Sequence, residues 1–149
     1  MVSLADINQV LSKKRNLDSK LVLLREFLNE NNLDFCFFSL SKTFSKRFEI
    51  SNFDLLEDYH QYSFFQDKQF GQIDKETYKK LKKLSDFDLK KKGVISTIFF
   101  FKKPVALIYL FSKKKKLDQL NNICQYISFY LDSFIREFHL QSKFNDKNN

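Results

Sequence analysis

The 149-residue sequence contains no tryptophan, one proline, two glycines and two cysteines. The glycines, Gly71 and Gly93, stand far apart, so the chain has no glycine-rich loop that would hold a phosphate group. Cys36 and Cys124 lie in apolar runs, without the CxxC or His/Cys spacing of a metal site. We expect both cysteines to be buried free thiols in a reducing cytoplasm, and we expect no metal and no cofactor.

Long hydrophobic runs are missing as well. The longest apolar run, residues 94–101, has the length of a strand and falls well short of the ~20 residues that cross a bilayer. The N-terminus, MVSLADINQ, lacks the basic region and apolar run of a signal peptide. These absences predict a cytoplasmic protein that makes no membrane contact.

Residues arranged for catalysis are not evident. His60 and His139 are the only histidines, and neither has a Cys, Ser or carboxylate at the spacing of a catalytic pair or metal site. Asp86 and Asp88 lie close together, but paired acids in this context are typical of turns. We therefore expect that the protein is not an enzyme.

Positive charge and aromatic residues are abundant. Lys and Arg number 26 against 18 Asp and Glu, and aromatics make up 17% of the chain. The net charge of +8 permits contact with nucleic acid or an acidic surface, but a Lys-, Asn-, Phe- and Ile-rich composition is also typical of an AT-rich genome. Short lysine runs occur at 79–80, 82–83, 90–92, 102–103 and 113–116.

Hydrophobic periodicity predicts an α+β chain with the order ααββααββα. Helices are predicted at residues 3–14, 18–32, 52–62, from residue 74 onward and at 117–140; strands are predicted at 35–40, 47–50 and twice within 93–111. Strands adjacent in sequence are expected to pair, which gives one antiparallel sheet flanked by helices in an α-β-α sandwich. We expect one domain at residues 1–141 and a disordered tail at 142–149.

Several short strings along the chain belong to a recognisable pattern. They are Asn52-Phe53, Asp67 in FFQDKQF, Ser85-Asp86-Phe87-Asp88-Leu89, and Gly93-Val94-Ile95-Ser96. With the order of elements, they resemble the autoinducer-binding domain of LuxR-type quorum-sensing transcriptional regulators, a GAF/PAS-like sensor fold. Within the 149 residues we find no counterpart of that family's C-terminal helix-turn-helix.

The resemblance implies a small-molecule site. Asp67 would bond a ligand amide N–H, and the hydroxyl of Tyr59 or Tyr62 would bond a carbonyl inside an apolar cavity. Phe53 and Ser96 would complete the site. Two alternatives stay open: Asp67 as a surface acid of a loop, and Ser96 as a strand residue bonded to backbone.

The resemblance also implies a function. We expect a non-enzymatic sensory domain that binds a small apolar signal molecule and forms a homodimer or a heterodimer with a related regulator. It would modulate transcription and contact nucleic acid only indirectly. Two alternatives remain: a small basic nucleic-acid-binding protein, using its lysines with exposed aromatics among residues 99–101, or a ligand-free interaction or antagonist protein.

Overall fold

The structure is a computed structural model that describes residues 2–56 and 70–148. Within these residues five helices and four strands follow one another as ααβαβαββα. Their bounds are α1 Leu4–Ser12, α2 Leu17–Glu30, β1 Asp34–Ser39, α3 Lys42–Arg47, β2 Phe70–Gln72, α4 Lys75–Leu84, β3 Val94–Phe100, β4 Lys103–Phe111 and α5 Leu117–Asn148. The predicted α+β class, with helices around a single antiparallel sheet, is confirmed.

The four strands form one open antiparallel sheet in the order β1-β4-β3-β2. One row of the sheet joins Phe37, Ile108 and Ser96, which shows that β1 pairs with the distant β4. The expected pairing between adjacent strands holds for β3 with β4 and for β2 with β3, but not for β1 with β2.

The predicted hairpin within residues 93–111 is confirmed as β3 and β4. Its two-residue turn consists of Phe101 and Lys102, both with positive φ (50° and 68°), as in type I′ turns. Pro104 lies at the start of β4, opposite Phe99, beside an irregularity in the register at Ile98/Phe99. A proline at a strand end removes little ladder hydrogen bonding.

Apolar clusters cover both faces of the sheet, because successive strand residues point to opposite sides. The first cluster packs α1, α2 and α5 on one face; its fully buried members include Ile7, Leu11, Leu21, Leu24, Leu28, Phe37, Ile108, Ile127 and Leu131. The second cluster lies on the other face, beside α4; it contains Cys36, Phe38, Leu40, Leu56, Ile73, Leu81, Leu89, Leu107 and Tyr109.

The strand predicted at residues 47–50 is wrong. Helix α3 ends at Arg47, and the chain turns at residues 48–49. Ser41 caps this helix by accepting a hydrogen bond from the Phe44 N–H, and the rings of Phe44 and Phe48 lie at a centroid distance of 4.8 Å. A positive φ at Glu49 follows the end of the helix. Four alternating residues fit a strand, but the Phe44–Phe48 spacing also fits one helical turn, and packing on the first cluster favours the helix.

The fourth strand of the sheet lies in a segment for which the sequence predicts neither helix nor strand. Phe70–Gln72 forms β2 and pairs with residues 94–96 of β3 at the edge of the sheet. Three residues with a central glycine carry too little alternation to signal a strand.

The other predicted helices have mixed outcomes. Four of the predicted helices are confirmed. They are those predicted at 3–14, at 18–32, from residue 74 onward and from residue 117 onward, which correspond to α1, α2, α4 and α5. The helix predicted at 52–62 is absent from its described part, residues 52–56, where Leu55 instead forms an isolated bridge with Ser39; residues 57–62 lie outside the described residues. Helix α5 continues to Asn148, through most of the segment expected to be a disordered tail. No helix among the described residues has the length and apolar character needed to cross a bilayer.

Candidate functional site

Asn52-Phe53 is fixed to helix α2. The carboxylate of Asp18, only 8% exposed, accepts hydrogen bonds from the backbone N–H groups of Ser51 (3.1 Å) and Asn52 (3.2 Å) and from both of their side chains. The Phe53 ring packs edge-on against Phe37 at 5.7 Å. This string therefore anchors the chain after α3 to the first cluster.

Ser96 and Phe53 belong to the same face of the sheet but not to one site. Ser96 is buried on β3 and accepts a hydrogen bond from Ser128 of α5. Phe53 packs against Phe37 of β1, and β4 lies between β1 and β3. The structure does not bring them together.

Residues 85–93 form a loop around Tyr109. The Ser85 hydroxyl donates to the Asp54 carboxylate at 3.0 Å and accepts from the Phe87 N–H, and the Phe87 ring packs edge-on against Tyr109 at 5.7 Å. The Tyr109 hydroxyl accepts from the Lys90 N–H at 2.6 Å and donates to the Lys90 carbonyl at 3.2 Å. Residues 85–93 therefore pack against the second cluster through Phe87 and Leu89.

The other three predicted ligand residues, Tyr59, Tyr62 and Asp67, lie outside the described residues. One described residue on each side of that segment is buried. Leu56 precedes it and is 4% exposed, and Ile73 follows β2 and is 5% exposed. Both belong to the second cluster, on the face opposite Phe53 and Ser96.

Both thiols are free and buried, as expected. Burial raises the pKa of Cys36 to about 12, with a further increase from the Asp54 carboxylate. Burial also raises the pKa of Cys124 well above its ordinary value. Because the thiolate is the nucleophile and metal ligand, neither cysteine is suited to either role.

Two grooves flank Phe100 and His139 at the turn end of the β3–β4 hairpin. The larger, about 440 Å³, is lined by Phe99, Phe100, Phe101, Lys102, Arg136, His139 and Leu140. The smaller, about 270 Å³, is lined by Ser41, Thr43, Phe44, Arg47, Phe48, Phe100, Lys103, Val105, Ile135 and His139. We call the residues of these two grooves the hairpin-tip surface. No carboxylate lines either groove among the described residues.

The centre of the hairpin-tip surface is aromatic. The imidazole of His139 lies edge-on to Phe100 at 4.9 Å and to Phe101 at 5.5 Å. Its two nitrogens are shielded from solvent and have no hydrogen-bond partner among the described residues. Burial, together with the nearby cations of Lys143 and Arg47, lowers the pKa of His139 from its ordinary value.

Sequence reasoning recognised the aromatic run and left its exposure open. In the structure Phe101 is 74% exposed, because it is the first residue of the turn. The signal available in the sequence was the Lys102-Lys103-Pro104 string, which places the turn next to Phe101.

The lysine runs at 90–92 and 113–116 lie at the other end of the hairpin. Val94 pairs with Leu110, which brings the loops before β3 and after β4 to the same end of the sheet. One ion pair there joins Lys90 to Asp88 at 2.8 Å. Like the hairpin tip, this end of the sheet is predominantly basic.

No group of three or more His, Cys, Asp or Glu is arranged to hold a metal ion within residues 2–56 and 70–148. Comparisons with known proteins give no match: no protein-family model, no curated protein and no solved structure is similar to this chain.

Proposed function

We propose that the chain is a non-enzymatic sensory or regulatory domain of GAF/PAS-like arrangement, resembling the LuxR-type autoinducer-binding domain. It would act in the cytoplasm as a homodimer, or as a heterodimer with a related regulator. Transcription would be modulated through a small apolar ligand or through that pairing.

The observation that carries this proposal is the position of Leu56 and Ile73. Both flank the segment that contains Tyr59, Tyr62 and Asp67, and both are buried in the second cluster. Buried residues of one apolar cluster thus stand in the chain before and after the polar groups expected at a ligand site. An apolar surface with a few convergent polar groups is typical of small-molecule sites.

The chemistry of these residues suits a small apolar ligand that carries an amide and a carbonyl. Asp67 would accept a hydrogen bond from the amide N–H, and Tyr59 or Tyr62 would donate one to a carbonyl. Phe38 and Leu107, fully buried in the second cluster, would provide apolar contacts. Phe53 and Ser96 lie on the opposite face, so we assign them structural contributions in this proposal.

Native mass spectrometry of the protein purified from its own host tests the proposal. We expect a dimer, with itself or with a related regulator, that retains a small molecule. Asp67→Asn and Tyr62→Phe should each reduce the retained mass, while Asp88→Asn, which alters only an exposed ion pair, should not.

Two other outcomes separate the alternatives. A heterodimer without any retained small molecule would favour a ligand-free antagonist that acts by pairing alone. A monomer with neither partner nor retained mass would contradict the proposed function.

A further inference from the structure

We propose that the hairpin-tip surface binds single-stranded nucleic acid, with Phe101 stacking on a base and Lys102, Lys103 and Arg47 contacting phosphates. This site is separate from the proposed small-molecule site and does not depend on it. Binding to the strand would be direct, through residues of this chain.

The first reason is the position of Phe101. This residue is 74% exposed, and its ring lies edge-on to Phe100 at 4.5 Å and to His139 at 5.5 Å. The neighbouring rings contact it in a fixed geometry while most of its surface remains open. An exposed aromatic ring next to cations is the usual platform for stacking unpaired bases, because every base has a π face.

The second reason is the charge of the grooves on either side. The larger groove contains Lys102 and Arg136, and the smaller contains Lys103 and Arg47. Arg136 is paired with Asp132, which lines neither groove, over a long 3.4 Å contact. Cations in a groove without carboxylates attract a polyanion.

The Arg47 side chain combines positive charge with contact to an aromatic ring. Its guanidinium lies 5.8 Å from the centre of the Phe138 ring, and Phe138 in turn packs on Phe48 at 4.7 Å. A guanidinium held over an aromatic ring keeps donors available for a phosphate oxygen, since stacking uses only its face. The cation is therefore positioned before any strand binds.

Other partners fit this surface less well. A second copy of the chain would bring like charges together, which disfavours a symmetric contact. An anionic membrane would attract the two exposed lysines after Phe101, but membrane binding also requires an extended apolar face, and the turn itself offers a single phenylalanine. A duplex hides the base faces that Phe101 would contact. A single strand offers bases and phosphates in alternation, and Phe101-Lys102-Lys103 offers complementary groups within three residues.

Fluorescence anisotropy with a labelled oligothymidylate, using the 149-residue chain, tests the electrostatic part. The logarithm of the association constant should fall linearly with the logarithm of the salt concentration between about 50 and about 200 mM. Each phosphate contact should add about 0.7 to the steepness of this slope. Lys102→Gln/Lys103→Gln should make that slope shallower by about 1.4, from two lost contacts. Lys79→Gln/Lys83→Gln on α4 removes equal charge from the other side of the sheet and should leave the slope nearly unchanged.

Two exposed phenylalanines form a matched pair for the stacking part. Phe101→Ser should weaken binding about tenfold or more, and Phe101→Trp should retain it and show tryptophan quenching by the oligonucleotide. Phe129→Ser removes an equally exposed ring (72%) that lines neither groove and should have no effect. Both sites are exposed, and thermal unfolding of each variant shows whether the fold is retained.

Three results would overturn the inference. One is no salt-sensitive binding of the oligonucleotide by the wild-type chain. Another is equal weakening by the tip variants and their controls, which would indicate diffuse attraction only. The third is binding to phosphatidylserine vesicles in preference to the oligonucleotide, with loss in the Phe101→Ser variant; that result would assign the surface to a membrane. None of these results bears on the retained mass expected for the proposed sensory function.

Discussion

Tyr109 illustrates how one buried side chain positions a whole loop. Its ring is fully buried in β4, and its hydroxyl both accepts from and donates to the backbone of Lys90. A Cβ on Gly93 would lie 2.2 Å from Cε2 of this ring, so the absence of a side chain at that position makes the contact possible. The sequence identifies Gly93 as unusual, but the ring that requires it is sixteen residues away and depends on strand register.

Gly93→Ala tests this packing. The added methyl group has no space beside Tyr109, and overpacking a buried site typically costs about 1–3 kcal/mol of unfolding free energy. Urea unfolding monitored by circular dichroism should show this loss. In the double variant Gly93→Ala/Tyr109→Leu, the alanine should cost much less than it does alone, because the clashing ring is gone. Additive effects of the two substitutions would contradict the assigned contact.

The buried thiols predict a dependence of stability on alkaline pH. Burial raises the pKa of Cys36 to about 12 and raises that of Cys124 as well, while an unfolded cysteine ionises near about 8.5. A raised folded-state pKa gives stability that is complete below the unfolded value and is lost as pH rises towards the folded value. We therefore expect the unfolding free energy to decline above about pH 9, by at most about 1.4 kcal/mol per pH unit for each thiol.

A matched variant isolates this contribution. Cys36→Ala/Cys124→Ala removes both thiols and leaves every other titrating group in place, so its unfolding free energy should fall less steeply between about pH 9 and about pH 10.5. Chemical unfolding at a series of pH values measures both slopes. Parallel profiles for the two proteins would show that the thiols are not protected in the folded state.

At the scale of elements, local pattern predicted the longer segments well and the short ones poorly. Helices α2 and α5 carry many apolar residues at helical spacing, and β3 and β4 flank an evident turn. Helix α3 has only six residues and β2 only three. Over such lengths the helical and strand periods both fit, and tertiary packing decides between them.

Asp18 provides the link between helix α2 and the segment after α3. Asp18→Ala would leave the N–H groups of Ser51 and Asn52 and both side chains without their acceptor. We expect a loss of about 2–3 kcal/mol in unfolding free energy, since hydrogen bonds to a charged group contribute about 1.5–3 kcal/mol. Hydrogen exchange should become faster at Ser51 and Asn52.

Asp6→Ala serves as the comparison for that variant. Asp6 also accepts a backbone hydrogen bond, from the Ser3 N–H at 3.2 Å, but at the exposed start of α1. Its loss should lower the unfolding free energy clearly less than the loss of Asp18, because this cap is exposed to solvent, and should leave exchange at residues 51–52 unchanged. Equal effects of the two substitutions would contradict the role given to Asp18.

At the scale of the whole molecule, the class of fold was predictable and the strand order was not. Apolar alternation indicates that a strand belongs to a sheet, but the β1–β4 pairing joins residues more than sixty positions apart and leaves no local signal. In the candidate site, too, the local sequence was informative and the long-range arrangement was not predictable. The residue types were recognisable, whereas the face that each residue occupies depends on the register, which separates Phe53 and Ser96 from the second cluster.

The most direct test of this account is the set of cross-strand backbone NOEs from NMR of the uniformly labelled chain, because both proposed sites depend on the strand order. We predict NOEs from residues 34–39 to 106–111, and from residues 94–96 to both 108–110 and 70–72. Residues 42–47 should give the sequential pattern of a helix. NOEs that join residues 35–40 to a strand at 47–50 would contradict the sheet order β1-β4-β3-β2 and with it the assignment of the two faces.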